Sequence, residues 1–151
     1  MNLYITIGIP GSGKSTWSEK FCKENGYIRL STDEYRKKLF GDVDCQTKNK
    51  ELFEALYSDL KQCLKNGQNV VFDATSITKA DREKIFTYLK DVEDLKIYAA
   101  YFPVSLEVSF ERNRKRERHV SEDVIKMMYE KLNPPTLDEG FTEIINFNEK
   151  N

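Results

Sequence analysis

Residues 8–15 read GIPGSGKS, so Gly8, Gly13, Lys14 and Ser15 meet the pattern G-x-x-x-x-G-K-S. Each part of that spacing has a chemical use. Gly11 and Gly13 let successive backbone N–H groups turn inward onto an anion. A helix starting near Lys14 adds the positive end of its dipole. Lys14 can then reach β- and γ-phosphates, and Ser15 can offer a hydroxyl to Mg²⁺. The competing reading is a glycine-rich turn between a strand and a helix. The full pattern, in the place the motif requires, selects a nucleoside triphosphate, with ATP as the expected ligand. The expected phosphate-binding residues are Gly11, Ser12, Gly13, Lys14, Ser15 and Thr16, with Ser15 as the metal ligand.

Further along, "STDEYR" (residues 31–36) supports two compatible readings. Ser31 and Glu34 are spaced as a helix capping box, and Asp33 suits a helix N-terminus. Asp33 and Arg36, three apart, would also share one helix face. Such a face offers a carboxylate to a hydroxyl and a guanidinium to a substrate phosphate. "VVFD" (70–73) closes an apolar run on Asp73, either the acid that supports Mg²⁺ or a turn-forming aspartate. Thr75 and Ser76 are expected to cap a helix rather than touch substrate.

The run "ERNRKRERH" (111–119) carries Arg112, Arg114, Lys115, Arg116 and Arg118. On one helix, Arg112 and Arg116 would share a face, as a lid closing on a triphosphate requires. The plainer reading is a solvated charged face. His119, the single histidine, is expected to be a bystander.

These groups need elements to hold them. Residues 3–9 read as a buried strand, followed by the glycine loop and a helix over 14–25 with Trp17 and Phe21 on one face. Further strands are expected at 27–31, 69–75, 95–102 and 141–147. The intervening helices are expected at 32–41, closed by Gly41, and 48–67, whose inner face is Leu52, Leu56, Leu60 and Leu64 with Phe53 and Cys63. Others follow at 78–92, 104–118 and 121–132, the last capped by Ser121. Strands alternating with helices predict an α/β fold: three α/β/α layers around a parallel sheet of about five strands. Ligands then sit outside the carboxyl ends of the strands, where the glycine loop, Asp33 and Asp73 all fall.

The 151 residues are expected to form one domain, with a lid at roughly 111–121. With 24 basic against 25 acidic residues, no global positive field would attract long duplex nucleic acid. Cys22, Cys45 and Cys63 have neither metal nor redox spacing, and no apolar stretch has membrane-span length. The expectation is a cytoplasmic protein with reduced thiols and no membrane association.

Together these residues resemble the 5′-kinase domain of the polynucleotide kinase family, in its phage and eukaryotic DNA-repair forms. "GIPGSGKSTW" is similar to that family's phosphate loop, within a P-loop kinase-like fold with a helical, arginine-bearing lid. "STDEYR" resembles the motif whose aspartate is the general base and whose arginine binds the acceptor strand's phosphate. The resemblance thus assigns these roles to Asp33 and Arg36. "VVFDATS" resembles the strand that brings an aspartate, here Asp73, to the acceptor site. "ERNRKR" resembles the lid motif whose last arginine, here Arg116, grips ATP phosphates, with Arg112 in the preceding lid position. "VSEDVIKMMYEKLNPPTLDEGFTEI" (120–144) is similar to the C-terminal end of the eukaryotic repair kinases. The 3′-phosphatase signature D-x-D-G-T does not occur, so the resemblance implies a kinase alone. A separate phosphatase or ligase chain would be its partner. The implied reaction is transfer of a γ-phosphate from Mg·ATP to the 5′-hydroxyl of a DNA or RNA end, single-stranded by preference. The alternatives are a kinase of a small-molecule hydroxyl (nucleoside, sugar or antibiotic) and a nucleotide-binding switch.

Overall fold

Alternation along the first strand decides which layer lies where. In the computed structural model, which describes residues 1–40, 49–116 and 120–147, β1 (Asn2–Ile7) buries Leu3, Ile5 and Ile7 completely on one face. Its other face carries Tyr4. Successive side chains of a strand point to opposite sides, so one apolar strand can serve two layers. Gly41, Cys45, Arg118 and His119 lie outside the described residues.

The remaining strands are β2 (Ile28–Ser31), β3 (Val70–Asp73), β4 (Lys96–Tyr101) and β5 (Glu143–Asn146). They form one five-stranded sheet in the order β2-β3-β1-β4-β5, and every pairing is parallel. Parallel neighbours need crossover connections, and helices supply them. These are α1 (Lys14–Asn25), α2 (Thr32–Phe40), α3 (Asn49–Lys65), α4 (Lys79–Tyr88), α5 (Leu106–Arg114) and α6 (Glu122–Lys131). The expected α/β architecture with a five-stranded parallel sheet is thus the observed one.

On one side of the sheet, Leu52, Leu56, Leu60 and Leu64 of α3 are fully buried against Leu3, Phe72 and Ile85. The four-residue spacing puts all four leucines on one stripe, as expected. Phe53 and Cys63 sit half-buried at its margin. On the other side, Tyr4 stacks on Tyr98 with ring centroids 4.8 Å apart and touches Phe21 of α1 at 5.0 Å. Trp17 stacks on Phe21 at 4.8 Å. A second, smaller cluster of Ile9, Ile77 and Ile125 packs α5 and α6 against the loops that follow β1 and β3.

Several boundaries differ from expectation. The strands after residues 3 and 69 stop at Ile7 and Asp73, so Gly8, Ile9, Ala74 and Thr75 belong to the site loops. Helix α5 starts at Leu106, capped by Ser105, whose Oγ accepts the Val108 N–H at 3.1 Å. It ends at Arg114, well short of 118. Thr78 caps α4 by accepting the Asp81 N–H at 3.1 Å, so Thr75 and Ser76 do not cap it. Ser76 instead has φ +44°, an unusual conformation for a residue with a side chain. Ser121 occupies the N-cap position of α6 but makes no capping hydrogen bond.

Ser76 keeps its conformation through an arginine unforeseen from sequence. Arg82 is completely buried and donates from Nη1 to the Ser76 carbonyl at 2.9 Å. Nη2 donates to the Asn133 carbonyl at 2.9 Å, and the guanidinium grips both Glu139 oxygens, at 2.7 and 3.1 Å. Asn133 closes the knot by donating its N–H to Ile77 O at 2.8 Å and accepting the Lys79 N–H at 3.1 Å. Burial alone would push the Glu139 carboxyl up, but the bonds from Arg82 and the Thr136 amide hold it below its ordinary 4.5.

A buried pair broken on one side costs about 3–5 kcal/mol, because the remaining charge has no partner. Arg82→Met should therefore lower urea-unfolding stability by about that amount, and Arg82→Met/Glu139→Gln by clearly less. A carboxyl with a depressed folded-state pKa stabilises the fold above its unfolded pKa. The contribution of Glu139 should accordingly be complete above pH 4.5 and disappear as the pH falls further. Unfolding curves for the wild type and Glu139→Gln should converge over that acid range.

Candidate active site

The glycine loop is shaped as an anion cradle. Gly11 and Gly13 have φ +79° and +96°, a region that residues with a Cβ rarely enter. Gly13 is also the N-cap of α1, with no side chain bonding the first-turn amides. Those amides are free to meet an anion, together with the positive end of the helix dipole. A Cβ at Gly13 would stand in the cradle, with nothing nearer than Arg112 Nη1 at 3.8 Å. The Ser12 hydroxyl is buried without a hydrogen-bond partner. Two other glycines answer to the protein itself. A Cβ on Gly8 would lie 2.5 Å from Ser12 Oγ, and one on Gly11 3.0 Å from the Ser109 carbonyl.

Lys14 opens α1 at this loop. Loss of water pushes its ammonium below the ordinary lysine range, Asp73 and Asp33 oppose that shift, and Arg116 adds to it. The loop is fastened on its far side by α5. Ser109 donates from Oγ to the Pro10 carbonyl at 2.6 Å, and Arg112 donates from Nη1 to the Gly11 carbonyl at 3.1 Å. Gly8 donates its N–H to Thr75 O at 3.0 Å, which joins the loops after β1 and β3. These features fit a triphosphate tail. Among the described residues no three His, Cys, Asp or Glu side chains gather as a metal site. Ser15, next to Lys14 at the start of α1, lines the cleft with its hydroxyl-bearing side chain.

Asp73, at the end of β3, is 3% exposed. Its Oδ2 accepts from Ser18 Oγ at 2.8 Å and from Arg29 Nε and Nη2 at 3.0 and 2.6 Å. Arg29 comes from β2 and also donates to Glu34 Oε1 at 2.7 Å. The capping box at the start of α2 is therefore only half made. Ser31 Oγ accepts the Glu34 N–H at 3.4 Å, while the Glu34 carboxylate turns to Arg29. Arg29 and Ser18 gave no sequence signal, since the bonds join residues 44 and 55 positions apart.

Asp33 and Arg36 do share a face of α2. Arg36 donates from Nη1 to Asp33 Oδ1 at 3.5 Å and from Nη2 to Asn49 Oδ1 at 3.2 Å. Its Nε is buried with no partner, while half of the Asp33 side chain is open to the cleft. Asn49, the first residue of α3, was missed from sequence for the same reason as Arg29.

Arg112 and Arg116 both line the cleft that Lys14, Asp33 and Asp73 share. They do not lie on one continuous helix face, because α5 ends between them and Arg116 follows on a turn, its N–H bonded to Asn113 O at 3.2 Å. Arg114 pairs with Glu122 and Lys115 with Glu111 on the exposed surface, so the solvated-face reading holds for those two. Cys22 and Cys63 are unpaired thiols, and no helix among the described residues is long and apolar enough to cross a membrane.

Comparison with known proteins agrees with this geometry. An L-seryl-tRNA(Sec) kinase of Methanococcus maripaludis is 29% identical over 143 residues, 88% of this chain and 53% of the relative. A protein of Autographa californica nuclear polyhedrosis virus, provisionally named a bifunctional polynucleotide kinase/RNA ligase, is 28% identical over 146 residues, 86% of this chain and 20% of the relative. The chain thus spans about half and about a fifth of those two proteins. Among solved structures, a chain of the Pnkp1/Rnl/Hen1 RNA repair complex superposes with TM-score 0.75 at 22% identity, covering 87% of this chain and 43% of that one. A gluconokinase from Sinorhizobium meliloti gives 0.65 at 18% identity, covering 97% and 82%. At those identities the two structures bear on the fold, which is that of P-loop kinases. The profile of one family spans residues 3–135, from the first buried leucine of β1 to the prolines beyond α6, and by that match the chain belongs to the AAA domain family.

Proposed function

We propose that this chain is an ATP- and Mg²⁺-dependent kinase that phosphorylates the 5′-hydroxyl end of a DNA or RNA strand. One observation carries the reading. On α2, a half-open carboxylate stands beside an arginine whose Nε is buried without a partner, and both line the cleft that holds Lys14. A nucleotide-binding switch has no use for such an acceptor pair.

Mg·ATP, held by the loop amides, Lys14 and Ser15, supplies the phosphoryl group. Asp33 takes the proton from the attacking hydroxyl. A carboxylate suffices, because that proton grows acidic as the oxygen bonds to phosphorus. Arg36 holds the phosphate that follows the accepting nucleotide through its guanidinium, since the residue lines the cleft. Asp73 keeps α1 and β2 in register through Oδ2, which leaves a metal-side role to Oδ1. Arg116 and Arg112 neutralise charge on the group in transfer. The names of the viral relative and of the repair-complex structure support a nucleic-acid acceptor, alongside ligase activity. The unpaired thiols and the use of ATP suit a cytoplasmic setting.

A second reading, a kinase of a small alcohol, draws on the likeness to a gluconokinase over 97% of this chain and 82% of that one. Incubation with labelled ATP and either a 5′-hydroxyl oligonucleotide or mixed small alcohols separates the two. Label on the oligonucleotide is expected; label on the small alcohols alone would overturn the polynucleotide reading.

Asp33→Ala should reduce phosphoryl transfer by about 10²–10⁴-fold, with Mg·ATP binding by calorimetry nearly unchanged. Near-normal turnover in that variant would remove the base assignment. Lys14→Met should weaken Mg·ATP binding by about tenfold or more, the worth of a hydrogen bond to a charged group.

A further inference from the structure

The cleft does not end at the Asp33–Arg36 pair. Its volume is about 1730 Å³, and it continues between α3 and α6. Along α3, Asn49, Phe53 and Tyr57 fall four residues apart, and all three line this part of the cleft. Four residues rise about 6 Å along a helix, so one stripe carries these groups in sequence. It begins where Asn49 accepts from Arg36 at 3.2 Å, beside the buried, unpartnered Nε. One turn on comes the Phe53 ring, half-buried, with the Tyr57 ring behind it at 5.7 Å between centroids. Tyr57 is in turn backed by Phe72 at 6.1 Å and Tyr88 at 5.5 Å. Met127 and Met128 of α6 line the same cleft.

The order of these groups is specific. A cationic anchor is followed, one helical turn away, by an aromatic surface that its neighbours hold in place. Lys50, Glu54, Asp81, Lys84 and Lys131 also line the cleft, and the stripe between them is aromatic. The adjoining rings of Phe53 and Tyr57 offer a flat heteroaromatic group what it needs. Every nucleobase has such a face, and stacking on an aromatic ring accepts all of them.

We infer that Phe53, held by Tyr57, stacks the nucleobase of the strand's 5′-terminal nucleotide while Arg36 and Asn49 hold the phosphate that follows it. This rests on the reading of the chain as a polynucleotide 5′-kinase, and it adds what the acceptor must carry beyond a hydroxyl and a phosphate. Phe53 is then a specificity residue, which favours nucleotide ends over other alcohols without choosing among the four bases.

The test crosses two proteins with two strands. Wild type and Phe53→Leu, which keeps an apolar side chain at the core margin, are assayed on an oligonucleotide with an ordinary 5′-terminal nucleotide and on one whose 5′-terminal nucleotide is abasic. On the ordinary strand, Phe53→Leu should raise the acceptor KM about tenfold with little change in kcat. On the abasic strand, wild type should already show that loss, and the substitution should add nothing further. Phe53→Tyr should restore the ordinary KM. If wild type labels both strands equally well, or if Phe53→Leu weakens both by the same factor, stacking is wrong and the kinase reading stands. If wild type labels neither strand, the polynucleotide reading fails and the stacking proposal falls with it.

Discussion

A single carboxylate oxygen, Asp73 Oδ2, registers three elements of this protein against one another. It accepts from Ser18 on α1 and twice from Arg29 on β2, while its own backbone ends β3. Ser18 lies one helical turn beyond Lys14, and Arg29 stands four residues before Asp33. The helix that starts at the glycine loop and the helix that carries Asp33 and Arg36 thus take their positions from the same atom. Charge-assisted hydrogen bonds suit such a joint, because they are short and directional and cannot be half-broken without exposing a buried charge. A parallel sheet delivers all these chain ends to one edge. The carboxylate sets their spacing to within a hydrogen bond.

The opposite wall of the nucleotide loop is built from α5. Two loop carbonyls, those of Pro10 and Gly11, are taken up by Ser109 and Arg112. With the carbonyls occupied on the protein side, the loop amides are left to face the cleft. The small cluster of Ile9, Ile77 and Ile125 extends the same support to α6. Both loops and both helices at the mouth of the cleft therefore share one apolar footing, separate from the main core.

Local patterns made much of this architecture legible in the sequence. The glycine loop, the leucine stripe of α3 and the alternation of strands with helices each follow from spacing within one segment. The Asp33–Arg36 pair was legible for the same reason, three residues apart on one helix. What escaped were groups whose meaning depends on distant partners. Arg29 and Arg82 carry no signal within their own segments. Their bonds to Asp73 and Glu139 span 44 and 57 residues. Helix α5 was overextended because its basic run keeps helical spacing past Arg114, where the chain turns instead. Thr75 and Ser76 were misread as caps because Thr78 competes for the role and wins it.

The Arg82 knot also bears on the order in which the molecule can be completed. The loop Thr75–Ser76–Ile77 borders the cleft, yet what fixes it comes from Asn133 and Glu139, more than fifty residues later. During synthesis, the phosphate loop, α2 and α3 all leave the ribosome well before those two residues do. The loop beside the cleft is therefore fastened only once the segment around Glu139 has been made and closes on the guanidinium.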